Sequence, residues 1–221
     1  MSRIIFEDNY VIVSPTFEDV SEHKHSFCHV FFLFEGDSCK HLRAVGSNVL
    51  HTMPPLRECR LFLMIDPTAA AAEQLMKYEK TETVQCDPPL AYSDSMSDNE
   101  VRTRVRLWMD SVFPCVKKSC DERIAQLVTR IGEYRYLEKS VPDIARSLYL
   151  SESRLSHMFR ESMGISLKGY LGLKQIQYAY ELIRNGSSIT TAALESGFSS
   201  SAHLAASCKK MMGISISNVI K

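Results

Sequence analysis

The fold of the C-terminal half is decided by the stretch Val141-Pro-Asp-Ile-Ala-Arg-Ser-Leu-Tyr-Leu-Ser-Glu-Ser-Arg-Leu-Ser-His-Met-Phe-Arg160. A second stretch of the same design runs Ile189-Thr-Thr-Ala-Ala-Leu-Glu-Ser-Gly-Phe-Ser-Ser-Ser-Ala-His-Leu204, and each is followed by the phrase Met-Gly-Ile-Ser. An apolar helix, a tight turn and a second helix capped by serine are typical of a helix-turn-helix. The sequence therefore predicts two such motifs, at about 141–161 and 189–211, which enter two successive major grooves of duplex DNA.

The composition is that of an ordinary globular protein. The chain has 221 residues, enough for two modest domains, with a hydrophobic fraction of 45% and a charged fraction of 24%. We expect neither a membrane span nor a secretory signal, because no run of about 18 apolar residues exists and the first residues are not apolar. Seven cysteines without paired spacing favour a reducing cytoplasm over a disulfide framework.

A net charge of zero conceals an asymmetry between the two halves. Residues 115–221 carry 15 Lys and Arg against 9 Asp and Glu, a net +6, and residues 1–114 carry a net −6. A basic half is suited to phosphates and an acidic half to another partner. The asymmetry supports the helix-turn-helix interpretation without proving it.

The N-terminal half has the pattern of a β-rich domain followed by helices. Residues 1–65 alternate like strands, most clearly at Phe27–Phe34 and Cys59–Ile65. Helix formers follow from Ala69 to Tyr78, and a polar segment at 81–99 is typical of a loop or linker. A helix from about Asn99 to Phe113 then ends at a proline. We therefore predict two domains, 1–113 and 114–221.

The second helix of the first stretch has the face that a recognition helix needs. Ser151 is a good N-cap, and Leu155, Met158 and Phe159 share one apolar side. The residues left facing outward are Ser153, Arg154, Ser156, His157 and Arg160, and together with Ser151 they are the predicted DNA-contacting residues of this motif. Hydroxyls and an imidazole can bond base edges, and arginine can contact guanine or phosphate. A solvated face on an ordinary helical bundle gives the same pattern, so both interpretations stand at this point.

A single long helix is predicted between the two stretches, from Ser166 to Ile183, and Asn185-Gly186 ends it. At 1.5 Å per residue it spans roughly 27 Å, close to the ~34 Å of one DNA turn. The two motifs can therefore occupy neighbouring grooves on one face of the duplex.

A wider set of residues carries a family resemblance. The set is Ile144-Ala145, Ser151, Leu155-Ser156, Phe159, Gly164-x-Ser166, Tyr170-Leu171, Ala179 and Leu182, then Ser188-Ile189-Thr190, Ala193, Gly197-Phe198-Ser199, His203 and Gly213-x-Ser215. On these residues, 121–216 resembles the DNA-binding domain of the AraC/XylS family of bacterial transcription regulators. The most specific part is the phrase Ile-Thr-x-x-Ala-x-x-x-Gly-Phe-Ser at 189–199.

The resemblance implies roles for the outward residues. In the first motif it places Ser153, Ser156 and His157 on base edges and Arg160 near the DNA backbone. In the second it places Ser200, Ser201 and His203 at the corresponding positions, with Lys209 and Lys210 approaching phosphates. Ala205-Ala206 and Ile216 depart from the family pattern, which has a long polar residue and a proline there. We therefore expect the first motif to discriminate sequence and the second to contribute mainly backbone contacts.

The acidic half resembles, over about 65 residues, the cupin-like sensor arm found in the same family. This likeness rests on His23-x-His25, Phe27–Gly36 and Val49–Pro55. The histidines at 23, 25, 29, 41 and 51 raise the question of a metal site, but His29 stands where cupin enzymes have glutamate. Histidines without fixed spacing specify no geometry, so we expect structural histidines, no metal and no other cofactor.

The combined expectation is an α+β protein, with a small cupin-like β domain followed by an all-α domain whose two helix-turn-helix motifs are joined by a long linker helix. The resemblance implies a cytoplasmic transcription regulator, an activator rather than an enzyme, that binds double-stranded promoter DNA and RNA polymerase. A homodimer, a protein co-regulator and a small-molecule effector remain open. The alternatives are a metal-dependent cupin enzyme with a helical appendage and a helical interaction module that does not bind DNA.

Overall fold

The computed structural model describes residues 3–15, 21–75, 82–113 and 121–213. The chain forms two compact units, a sheet unit within residues 1–115 and a helical unit within residues 116–209. The predicted α+β class is confirmed, since an antiparallel sheet precedes an all-helical region. The predicted positions at Tyr78, Ser215 and Ile216 lie outside the described residues.

Among the described residues, the sheet has six antiparallel strands in the order β1-β2-β5-β3-β4-β6. The strands are β1 Arg3–Phe6, β2 Tyr10–Ser14, β3 Cys28–Glu35, β4 Ser38–Val45, β5 Leu61–Ile65 and β6 Glu82–Gln85. The two strands predicted most clearly, β3 and β5, are neighbours in the middle of the sheet. Their nearly continuous apolar sequences therefore reflect burial of both faces.

Two helices accompany the sheet, α1 Ala70–Leu75 and α2 Asp98–Val112. A capping box of Ser97 and Glu100 begins α2, where each side chain bonds the backbone N–H of the other. The ring of Trp108 meets that of Phe32 edge-on, with centroids 4.9 Å apart, and both side chains are buried. These aromatic residues therefore form part of the core.

The prediction of a loop over residues 81–99 is wrong at its beginning, because β6 occupies Glu82–Gln85 and pairs with β4. β6 lies at the edge of the sheet, and Thr83 and Gln85 are exposed. An edge strand needs little apolar surface, so its polar sequence resembles that of a loop. From Cys86 to Ser97 the described chain has no strand or helix apart from an isolated bridge at Ala91.

The helices that follow are α3 Glu122–Gly132, α4 Val141–Ser147, α5 Glu152–Met163, α6 Leu167–Arg184, α7 Ile189–Glu195 and α8 Ser201–Met212. The helical unit includes α8 as far as Lys209. Serine hydroxyls cap most of these helices, since each accepts a bond from the backbone N–H three residues later. The capping serines are Ser140, Ser151, Ser166, Ser188 and Ser200. Local sequence therefore defines where these helices begin.

The predicted linker helix corresponds to α6, which has 18 residues and hence a length of about 27 Å. It contacts both α5 and α7. Phe159 of α5 packs against Tyr170 of α6, with ring centroids 5.5 Å apart, and both are buried. α6 therefore forms the core against which both helix-turn-helix motifs pack.

No helix within the described ranges is long and apolar enough to cross a membrane. The five described cysteines are all buried and form no disulfide, as expected for small core residues. Cys115 and Cys120 lie outside the described residues.

Candidate nucleic-acid interface

The first helix pair consists of α4, a short turn and α5. Ile144 and Ala145 of α4 are fully buried, so the small alanine allows a close crossing. In the turn, Tyr149 adopts φ +54° and is 96% exposed, and the N–H of Leu150 bonds the carbonyl of Ala145 at 3.0 Å. The Ser151 hydroxyl then accepts from the Arg154 N–H at 3.2 Å and begins α5.

α5 has one buried and one exposed face, as predicted. Its buried residues are Leu155, Met158 and Phe159. The predicted DNA-contacting residues are all exposed: Ser151, Ser153, Arg154, Ser156, His157 and Arg160. The structure thus places this set together on the solvent side of one helix. Their contact with DNA stays a prediction.

An acidic side chain on this face was missed at the sequence level. The Nε2 atom of His157 lies 3.3 Å from an Oε2 atom of Glu161, and the two side chains are 63% and 42% exposed. Residues four apart on a helix are neighbours, so the spacing already carried this signal. A base or phosphate that approaches His157 therefore also meets a carboxylate.

Two carboxylates near the first helix pair, Asp143 in α4 and Asp121 before α3, each form an ion pair with a nearby arginine. Ser140 donates a hydrogen bond to Asp143, and this bond lowers the pKa of that carboxyl, with help from Arg146 at 2.9 Å. Similarly, Arg123 lowers the pKa of Asp121 to about 2 by donating hydrogen bonds to it. Both carboxylates remain ionised at neutral pH and are paired with arginine.

The second helix pair consists of α7, a turn and α8. Gly197 occupies the turn with φ +86°, which favours glycine. A Cβ atom at this position would lie 2.8 Å from the carbonyl oxygen of Leu137 and 2.9 Å from the Gln175 side-chain amide. That amide itself bonds the Leu137 carbonyl at 2.7 Å. The turn is therefore packed directly against backbone and the linker helix.

The predicted residues of the second pair are less uniformly exposed. Ser200 and Ser201 are half-buried, whereas His203, Lys209 and Lys210 are exposed. The Ser200 hydroxyl caps α8 through the His203 N–H at 3.1 Å. The Nδ1 atom of His203 accepts from the Ser199 N–H at 3.3 Å, so the predicted contact with DNA would use Nε2.

The middle of α8 exposes mainly methyl groups, and its one polar side chain, Ser207, is half-buried. Ala202 and Ala206 are exposed, and Ala205 is half-buried, while Leu204 and Cys208 are buried. A helix that presents methyl groups can fit against a groove but cannot form hydrogen bonds with base edges. In the sequence, Ala205-Ala206 replace the long polar residue of the family pattern, and the structure shows the apolar surface that results.

Side chains that could hold a metal ion lie in the sheet unit. Within the described ranges, His23, His25 and His51 form such a group, with candidate ligand atoms within 4.8 Å of one another. His29 also joins them, since its Nε2 lies 2.6 Å from that of His25. His41 is exposed on β4 and does not take part. Four of the five histidines named in the sequence analysis therefore lie together, and the expectation that they are structural and bind no metal stays a prediction.

Comparison with known proteins concerns mainly the helical unit. Residues 144–221 match the family model of the helix-turn-helix domain. HTH-type transcriptional regulators of Staphylococcus aureus, one of them from strain MSSA476, are 31% identical over 90 residues, which is 40% of this chain and 12% of theirs. The chain therefore spans only a small fraction of the length of these relatives.

Two solved structures are also similar. The C-terminal domain of AraT, a response regulator from Geobacillus stearothermophilus, matches 47% of this chain and 87% of that chain, with 21% identity and a TM-score of 0.43. ToxT from Vibrio cholerae matches 96% of each chain with 12% identity and a TM-score of 0.47. The family-model match thus identifies a helix-turn-helix domain in the region that resembles the AraC/XylS regulators.

Proposed function

We propose that this chain, whose residues 144–221 match a helix-turn-helix domain, is a sequence-specific DNA-binding transcription regulator of the AraC/XylS type. The observation that carries the proposal is the pair of serine-capped helices, α5 and α8, each buried on one side and exposed on the other. The linker helix α6 contacts α5 of the first pair and α7 of the second. A helical interaction module would not need two separate helices with exposed polar N-terminal turns.

The two helix pairs contribute differently in this proposal. The exposed residues of α5, above all Ser153, Ser156 and His157, contact base edges. In α8, Lys209 and Lys210 contact phosphates, which add affinity without sequence information. A net +6 over residues 115–221 is modest, so we expect weak binding by one copy and stronger binding by two.

The sheet unit supplies the regulatory input. It contains a cleft of about 540 Å³, lined in part by Arg3, Arg60, Tyr92 and Asp94, which is a volume typical of small-molecule sites. A small polar effector or a protein co-regulator is the expected input. We propose that the output is activation through RNA polymerase, as in the family that the helical unit resembles.

A binding experiment on duplex DNA tests the core of this proposal. The full chain is titrated with the DNA upstream of its own gene and with a scrambled duplex, at about 50 mM and about 200 mM salt. We expect binding that prefers the upstream duplex and weakens by at least about tenfold at the higher salt. Absence of binding at low salt, or equal affinity for both duplexes, contradicts a sequence-specific regulator.

The direction of regulation needs a separate measurement. A reporter fused to the bound promoter is compared in cells with and without the chain. Lower expression in its absence supports activation, and higher expression shows repression instead. Neither result affects the assignment of DNA binding.

A further inference from the structure

Four imidazole rings converge in the sheet unit, three from the short segment 23–29 and the fourth from His51. The backbones of His23 and His51 pair directly, with N···O distances of 2.9 and 3.0 Å in an isolated antiparallel bridge. The ring centroids of His23 and His51 are 4.6 Å apart, those of His25 and His51 are 5.0 Å apart, and those of His25 and His29 are 4.5 Å apart. Strand pairing therefore assembles the cluster.

Two of these histidines have a tautomer set by backbone carbonyls. The Nδ1 atom of His23 lies 2.9 Å from the Ser21 carbonyl oxygen, and that of His51 lies 2.8 Å from the Val49 carbonyl oxygen. A carbonyl can only accept, so each Nδ1 carries the proton and each Nε2 presents a lone pair. Metal-binding histidines are oriented by this type of second bond.

The Nε2 atom of His51 is one of three buried ring nitrogens in the cluster that lack a hydrogen-bond partner among the described residues, with Nδ1 of His25 and Nδ1 of His29. His51 is 4% exposed, and its Nε2 has no hydrogen-bond partner among the residues that the structure describes. A buried lone pair without a donor costs free energy that a bound cation recovers. Because Nδ1 holds the proton, the missing partner must be a donor or a metal ion.

The remaining two histidines are buried and face each other. His25 and His29 are each 3% exposed, and their Nε2 atoms are 2.6 Å apart. Burial and the neighbouring rings lower the pKa of His25 to about 3 and the pKa of His29 well below its usual value. The hydrogen bond between the two Nε2 atoms holds both rings at the cluster.

The base of the cluster is apolar. The ring of Phe31 stacks on that of His29 with centroids 4.8 Å apart, and Phe62 lies 5.5 Å away on another side. Both phenylalanines are buried. An apolar base limits access of water and strengthens the attraction between a cation and its ligands.

We propose that His23, His25 and His51 bind one zinc ion, and that His29 supplies a fourth nitrogen or positions His25. Imidazole nitrogen is a preferred ligand of zinc, and tetrahedral coordination takes four ligands at about 2.0–2.1 Å. Bringing nitrogens that now lie within 4.8 Å into this geometry requires ring movements on the order of 1 Å. The Nε2 atoms of His23 and His51 bind without releasing a proton.

The test uses untagged full-length chain, stripped with a chelator and dialysed. Zinc is titrated by calorimetry, cobalt(II) by its visible absorption, and bound metal is counted after gel filtration. We expect one ion per chain and the intense absorption of tetrahedral cobalt. DNA is absent throughout, so this result is independent of the proposed DNA binding.

Three variants decide between a built site and adventitious binding. His51→Ala and His23→Ala are expected to weaken zinc binding by at least about 100-fold, since each removes a ligand. His41→Ala is the matched control, because His41 is an exposed histidine outside the cluster. The zinc affinity of this variant should equal that of the unchanged chain. His23 is only half-buried, so His23→Ala is informative even if His51→Ala fails to fold.

Two outcomes overturn the proposal. One is absence of zinc and cobalt binding by the folded, unchanged chain, which leaves the cluster as a packed group of neutral histidines. The other is equal loss of affinity in His41→Ala and His23→Ala, which shows adventitious binding only. As an independent readout, zinc should raise the unfolding temperature of the unchanged chain but not that of His23→Ala.

Discussion

The two helix pairs of the helical unit share a backbone plan but differ in what they expose. Both place a left-handed residue in the turn, Tyr149 in the first pair and Gly197 in the second, and both cap the next helix with serine. The first pair exposes polar and charged side chains along the whole of α5. In α8, the exposed residues are His203 near its start, Ala202 and Ala206, and Lys209 and Lys210 near its end. The two pairs thus share a fold but have different surfaces. That of α5 is suited to contacts with base edges, and that of α8 is suited to a close fit against a groove and to contacts with phosphates.

The turns of the two helix pairs also differ in how closely they are packed. The turn of the first pair is open, with Tyr149 almost fully exposed, while the turn of the second lies against Leu137 and Gln175. The turn of the second pair therefore tolerates fewer substitutions than the turn of the first pair. We propose that the first pair discriminates DNA sequence and that the second pair is the more constrained by packing.

The largest expected effect comes from adding a methyl group to the constrained turn. Gly197→Ala places a Cβ 2.8 Å from the Leu137 carbonyl oxygen at φ +86°, so we expect a loss of about 2–4 kcal/mol in the free energy of unfolding. Urea unfolding followed by far-ultraviolet circular dichroism measures it. Tyr149→Gly is the control at the matching position and should change stability by less than about 1 kcal/mol. Equal losses of stability in Gly197→Ala and Tyr149→Gly would contradict the claim that the second turn is the more constrained.

The next effect concerns sequence preference. His157→Ala removes a predicted base contact, so we expect the ratio of affinities for specific and scrambled duplexes to fall by about 5- to 100-fold. Lys209→Ala should weaken binding to both duplexes by the same factor and reduce the slope of log affinity against log salt concentration by about 1. Fluorescence anisotropy at several salt concentrations distinguishes the two. If His157→Ala keeps the preference and Ala206 substitutions change it, the roles of the pairs are reversed.

A smaller effect separates capping from DNA contact at Ser151. Ser151→Ala removes the cap of α5 and should cost about 1 kcal/mol of stability. Ser151→Asp keeps a capping oxygen but adds negative charge, so stability should be retained while DNA affinity falls. Thermal unfolding and anisotropy of both variants provide the measurements. An Asp variant that binds DNA as tightly as the unchanged chain would show that Ser151 only caps the helix.

The smallest effect is expected from the carboxylate beside His157. Glu161→Gln removes a negative charge from the exposed face of α5, so we expect DNA affinity to rise about 2- to 5-fold at low salt. Glu133→Gln changes the net charge equally at a site outside both helix pairs and serves as the control. An equal rise in both variants would mean that only net charge matters.

Local signals made the helical unit predictable. Serine caps, the glycine turn and apolar residues three and four apart depend on neighbours in the chain, and each was found where expected. The pairing of His157 with Glu161 is equally local, and helical spacing could have revealed it. What the spacing could not reveal is the packing of Gly197 on Leu137, sixty residues earlier in the chain.

Long-range pairing made the sheet unit harder to predict. β6 has a polar sequence because it lies at an edge, and its strand character depends on β4 forty residues earlier. His23 and His51 become neighbours only through a bridge between their backbones. Spacing along the chain therefore suggested scattered histidines, although strand pairing brings four of them together.

Selection from a pool of randomised duplexes tests the central claim most directly, since it asks whether two unequal helix pairs contact DNA about one helical turn apart. The full chain is used to enrich bound duplexes over several rounds, and the survivors are sequenced. The account predicts one segment with sharp base preferences and a second, weakly defined segment about 10 base pairs away. Two equally sharp segments would contradict the division of roles, and no enrichment at all would contradict sequence-specific binding.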